Sequence, residues 1–150
     1  MRYLLISSLV IIADQITKHL VRVYIKSYEV LNILPFLRIV HIRNEGAAFG
    51  LFRGFGNITF IIISIIAIIV VIYLLFRDKR DRINLSLILG GATGNLIDRI
   101  IYGNVTDFID LYAGRFHWPA FNIADSALTI GISLMFFNHL KQIMREKTAS

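Results

Sequence analysis

Four long apolar runs punctuate the chain: Tyr3 to about Ile25, Ile58 to Phe76, Ile83 to about Tyr102, and Asp125 to Leu140. Each predicts a helix. The second, ITFIIISIIAIIVVIYLLF, carries no charged residue and at helical rise spans roughly 28 Å, the thickness of a bilayer's hydrocarbon core. The other three contain polar residues that a lipid-facing helix avoids, so they are expected to line the inside of a bundle. Between the first two runs the pattern changes. FLRIVHIRN, residues 36–44, is β-branched and partly alternating and predicts short strands. It leads into GAAFG, residues 46–50, where glycine permits close backbone approach or a positive φ. A second polar segment, about 103–124, contains GNVTDFIDLY and WPAFNIAD, with Pro119 as a breaker before the last helix. The expected fold is one membrane α-helical domain over residues 1–150, with a small sheet resting on the outer membrane surface.

Composition agrees with this reading. At 56% hydrophobic and 17% charged, 150 residues hold more apolar surface than one small soluble core can hide. The formal charge of +6 does not point to nucleic acid, because Lys and Arg gather at the ends of apolar runs. They orient the chain instead. The turn RDKRDR, residues 77–82, holds four basic residues, and Arg2, Lys141, Arg145 and Lys147 flank the outer helices, so both termini and this turn are expected on the cytoplasmic side. The run after Met1-Arg2 has no A-x-A cleavage site and continues through Asp14 and Lys18, which favours a retained helix over a cleaved signal peptide.

The candidate chemistry narrows by elimination. With no cysteine there is no thiol nucleophile or thiolate site, the four histidines are scattered without H-E-x-x-H, and no G-x-S-x-G is present. Carboxylates remain: Asp98 on the third helix, Asp107 and Asp110 just outside it, and Asp125 opening the fourth. Two close carboxylates cannot both ionise cheaply, so one keeps its proton and a single site holds an acid and a base. A connection of 17 residues separates Asp107 from Asp125 and is long enough to fold back and join them. On spacing alone the simpler alternative, that Asp107 solvates a loop and Asp125 caps a helix, is favoured over the pair. Asp14 and Lys18 stand at i, i+4 in the favourable order for an ion pair. Asn95 and Arg99 share one face of the third helix, and Gly90 and Gly94 form a small-xxx-small packing face.

The motifs ADQITK (13–18), RNEGAAFG (43–50), GGATGNLIDR (90–99), VTDFID (105–110) and FNIADSA (121–127), in this order among four apolar runs, resemble the lipoprotein signal peptidase family, signal peptidase II. That resemblance covers nearly the whole chain. It implies a bacterial inner-membrane aspartic peptidase, a four-transmembrane-helix bundle with an extracytoplasmic β-cradle and a small helix beside the site. Its substrate would be a diacylglyceryl prolipoprotein, cut before the lipidated cysteine and held within membrane lipid. The resemblance marks Asp107 and Asp125 as the catalytic pair and Asp14, Lys18, Asn44, Gly46, Asn95, Arg99 and Asn122 as surrounding polar residues. It also implies inhibition by cyclic lipopeptides of the globomycin type, with no metal, cofactor or nucleic acid involved. The family more usually has two apolar residues before the first catalytic aspartate, whereas Thr106 stands there in this chain. A second class, a small proton-coupled transporter or channel subunit, would also place acids and an Asn among helices, but predicts a polar path across the membrane.

Overall fold

The computed structural model of the chain describes residues 2–27, 29–46 and 56–149. Its elements run α1 (Arg2–Tyr24), β1 (Val30–Leu34), β2 (Leu37–Asn44), α2 (Gly56–Arg77), α3 (Arg82–Tyr102), β3 (Val105–Ala113), β4 (Phe116–His117) and α4 (Ile123–Ala149). Residues 47–50 of the GAAFG stretch lie outside the described residues, and so does any small helix they would build.

Helix α1 shows the logic of the bundle. Its outward positions are apolar, with Leu5, Leu9, Ile12, Ile16 and Val23 all exposed, while Ser7, Asp14 and Lys18 are buried. Spacings of seven and four place those polar residues on one stripe, as a helix surrounded by hydrocarbon requires. Helix α2 is the most apolar, with mean hydropathy 3.2, and buries only Phe60, Val71 and Leu75. Among the described residues, three helical stretches are long and apolar enough to cross a membrane: Tyr3–Tyr24, Gly56–Arg77 and Ile123–Lys147.

Helix α3 packs against α1, α2 and α4 and forms the hub. Its small residues explain how. A Cβ added to Gly90 would stand 2.7 Å from the Val10 Cβ, and one on Gly94 would stand 2.6 Å from Asp14 Oδ2, so this pair seats α1. Gly91 faces the other way, 2.4 Å from the Ala124 carbonyl oxygen by the same measure, and seats α4. Lipid supplies no hydrophobic drive for one helix to leave hydrocarbon for another, so close packing and interhelical polar bonds must hold the bundle. The glycines permit the first and the buried polar stripe supplies the second.

The four strands lie in the order β1-β2-β3-β4, with each neighbouring pair antiparallel. Gly103, at φ 75°, ends α3 in the left-handed conformation, its N–H bonded to the Arg99 carbonyl at 3.2 Å, and turns the chain into β3. Strand β2 pairs with β3 in the register Ile42 to Asp107, Arg43 to Thr106 and Asn44 to Val105. The hairpin to β4 returns the chain, and Phe121 then bridges to Ile109, with N–H to O distances of 2.8 and 3.1 Å. This bridge brings Asn122 and the start of α4 beside Asp107. At the other end of α1, buried His41 of β2 bonds the Ile25 carbonyl through Nδ1 at 2.8 Å and so satisfies a carbonyl at that helix's C-terminal end.

Candidate active site

Asp107 and Asp125 line one cavity of about 530 Å³ with Asn44, Gly46, Asn95 and Arg99. The fold-back of the 17-residue connection is therefore realised. Asp107, only 2% exposed, points from β3 and accepts two amide hydrogen bonds: Asn44 Nδ2 donates to Oδ2 at 2.8 Å and Asn122 Nδ2 to Oδ1 at 2.7 Å. Each asparagine is oriented by its own oxygen. Asn44 Oδ1 accepts the Gly46 N–H at 3.0 Å, and Asn122 Oδ1 accepts the Asp125 N–H at 2.9 Å.

Asp125 sits three residues beyond Asn122, and its Oδ2 accepts the Asn122 N–H at 3.4 Å. This reciprocal arrangement is a capping box with aspartate in the acidic position. Asp125 Oδ1 meanwhile accepts from Asn95 Nδ2 at 2.7 Å. Asp125 thus caps its helix through one carboxylate oxygen and meets Asn95, another residue of the cavity lining, through the other. Asn95 has its amide face chosen by Lys18, whose Nζ donates to Asn95 Oδ1 at 2.8 Å.

Burial pushes the Asp107 carboxyl up from the ordinary range, and the nearby Asp125 charge pushes it further, to about 7. The Asn44 and Asn122 bonds and the Lys18 charge pull the other way without cancelling the rise. Asp110, three residues along the same strand, behaves in the opposite manner. Burial raises it, but His117 and Arg38 outweigh burial and hold it below the usual carboxylate range. Arg38 reaches Asp110 Oδ2 at 2.7 Å and His117 Nδ1 reaches Oδ1 at 3.0 Å. Asp110 is thus a cross-strand tie between β2, β3 and β4.

Asp14 and Lys18 form the expected pair, 2.8 Å apart and both wholly buried. Asp14 does more than its spacing revealed. Its Oδ1 accepts the Ala124 N–H at 2.9 Å, so a residue of α1 caps the first turn of α4. Arg99 donates to the Gly46 carbonyl at 3.3 Å and lies over the Phe60 ring at 5.3 Å. Gln15 and Arg22 were not singled out in the sequence, and Thr106 only as a departure from the family pattern, yet all three join Asp98 in a polar cluster behind the cavity. Arg22 is four residues beyond Lys18 and eight beyond Asp14, so the helical stripe itself carried the signal.

Comparison with known proteins points one way. The family profile described as Signal peptidase (SPase) II matches residues 6–141. A protein named lipoprotein signal peptidase from Thermodesulfovibrio yellowstonii is 46% identical over 134 residues, covering 89% of this chain and 91% of that one. Another of that name from Burkholderia thailandensis is 43% identical over 144 residues, covering 92% and 87%. Among solved structures, a bacterial membrane enzyme determined by the in meso method at 2.3 Å superposes with a TM-score of 0.89 at 39% identity, covering 95% of this chain and 89% of that one.

Proposed function

Since the chain belongs to the signal peptidase II family and is a peptidase that cleaves lipoprotein signal peptides, we propose that Asp107 and Asp125 are its catalytic dyad. The observation that carries this is the convergence of both carboxylates on one cavity, each with its orientation set by asparagines. In the mechanism, the ionised carboxylate takes a proton from water as the water oxygen attacks the scissile carbonyl. The protonated one donates to the carbonyl oxygen, and the proton just gained can pass to the leaving nitrogen as the C–N bond breaks.

Charge balance supports one proton on the pair. Asp14, Asp98 and a single ionised dyad member face three cations, Lys18, Arg22 and Arg99; a fully ionised dyad leaves the cluster with one anion in excess, at a cost in a buried setting. We assign Asn44, Asn95 and Asn122 to holding the carboxylates, Lys18 and Asp14 to holding Asn95 and the start of α4, and Arg99 with Gly46 to the cavity wall that meets the substrate backbone. Trp118, Pro119, Leu128 and Ile130 give the same cavity an apolar side suited to a lipidated residue. A cyclic lipopeptide of the globomycin type has the chemistry to occupy both sides.

In this reading all four long helices span the bacterial inner membrane, α3 included, because α3 has its polar face turned into the bundle. The termini and the Arg77–Arg82 turn lie in the cytoplasm, and the sheet forms a cradle at the extracytoplasmic face. A transporter is less well supported, since α2 carries no charged residue before Arg77 and the candidate acids meet near the sheet.

Purified protein given matched lipidated and unlipidated prolipoproteins is expected to cut only the lipidated one, immediately before the modified cysteine. Equal cleavage of both would remove the assignment of the apolar wall. The pH dependence provides a second test. Asp107 gives up its proton as pH rises through about 7, leaving two ionised carboxylates and no acid, so kcat/KM is expected to fall about tenfold per unit above that point. A kcat/KM that stays flat to about pH 9 would contradict a proton held on Asp107.

A further inference from the structure

Asp98 lies in the last turn of α3, wholly buried and outside the lining of the cavity, and the cleavage mechanism gives it no task. Its surroundings are nonetheless specific. Oδ2 accepts the backbone N–H of Thr106 at 2.9 Å, and Thr106 immediately precedes Asp107. Arg22 Nη1 stands 3.3 Å from both oxygens of Asp98 and 3.0 Å from Thr106 Oγ1, while its guanidinium carbon lies 4.1 Å over the Tyr102 ring. Gln15 Nε2 adds a bond to Oδ1 at 3.2 Å, and Lys18 Nζ is 3.6 Å from Oδ2. Each of these groups presents a donor to the carboxylate, so both of its oxygens are held in place.

We propose that Asp98 is a positioning residue for Asp107: its carboxylate pins the first residues of β3 to the end of α3, and Arg22 holds it there. Between Asp98 and Thr106 the chain leaves α3 through the left-handed turn at Gly103; β2 and Asn122 hold the start of β3 from its other sides, and Asp98 ties its backbone to α3 itself. The charged hydrogen bond to the Thr106 N–H sets where that strand begins and hence where the next side chain, Asp107, meets Asp125. This also accounts for Thr106 at a place where the resemblance implies an apolar residue. Buried at 1% exposure, its hydroxyl is the third acceptor for Arg22.

The inference rests on Asp107 being catalytic, so Asp107→Asn is measured alongside. Two charge-balanced double variants carry the test, Arg22→Gln with Asp98→Asn and Arg22→Gln with Asp98→Ala. They differ in whether an acceptor remains for the Thr106 N–H. The alanine version is expected to lose roughly 100-fold in kcat per folded molecule, the scale of an ångström-level misplacement, with KM within about threefold of wild type. The asparagine version should recover most of that loss. Equal kcat per folded molecule in the two versions would overturn the proposal. If the alanine version does not fold, Thr106→Val against Thr106→Ser decides: several-fold lower kcat for valine alone, at unchanged thermal stability, supports the clasp, and equal values overturn it. An active Asp107→Asn would instead defeat the dyad reading on which the inference stands.

Discussion

Lys18→Met is expected to deplete the protein from the membrane and to lower its thermal stability by roughly 3–5 kcal/mol, the range for breaking one side of a buried ion pair. The Lys18 ammonium lies 2.8 Å from Asp14, 2.8 Å from Asn95 Oδ1 and 3.6 Å from Asp98, with no exposure. Its removal leaves Asp14 without a counter-ion and takes from the Asn95 oxygen the shorter of its two donors, Asn122 Nδ2 at 3.3 Å being the other. Adding Asp14→Asn should relieve the loss. Asparagine keeps an oxygen for the Ala124 N–H, now accepted by Asp14 at 2.9 Å, and the unmatched charge disappears. The double variant is therefore expected to be more abundant and to unfold at a higher temperature than Lys18→Met alone. A double variant no better than the single would show that the buried charge is not what the pair neutralises.

How much of this was legible in the sequence differs from element to element. Helix α2 announced itself because its apolar run from Ile58 to Phe76 carries no charged residue. In α3, Gly90, Gly91 and Gly94 weaken every helix signal; the spacing of Gly90 and Gly94 announced a packing face, but not that Val10 and Asp14 press against it, nor that Gly91 seats Ala124. Strand β2 was read from its β-branched alternation. Strand β3 was not identified, since Val105 to Phe108 are all buried and a strand covered on both faces shows no alternation of apolar and polar residues.

In the site, local spacing was informative and tertiary closure was not. The Asp14–Lys18 pair and the shared face of Asn95 and Arg99 follow from helix periodicity. The meeting of Asp107 with Asp125 depends on the Ile109–Phe121 bridge, a contact between residues 12 apart that no local pattern announces. The same holds for Asp14 capping α4 across 110 residues of chain. Asp98, Asp107 and Asp110 look alike in sequence. Their surroundings separate them: Arg22 and a backbone N–H for Asp98, two amides and a neighbouring acid for Asp107, Arg38 and His117 for Asp110.

The dyad makes the largest catalytic prediction. Asparagine keeps the shape of aspartate and hydrogen-bonds, but it cannot exchange a proton near neutral pH. Asp107→Asn and Asp125→Asn are each expected to reduce cleavage by roughly 10²–10⁴-fold, the usual worth of a general acid or base. The double variant should be little worse than either single, because the two groups act as one unit. At position 107 an amide NH₂ must replace an oxygen facing either Asn44 or Asn122, so one neighbouring asparagine has to turn and folded protein must be quantified. Asp110→Asn removes charge from the Arg38–His117 tie, which lies off the cavity lining, and should leave substantial activity. The decisive measurement is single-turnover cleavage of a diacylglyceryl prolipoprotein by equal amounts of folded wild type, Asp107→Asn, Asp110→Asn and Asp125→Asn, with the cut mapped by mass. Product from wild type and Asp110→Asn alone is the result predicted; normal turnover by either Asp107→Asn or Asp125→Asn would contradict the dyad.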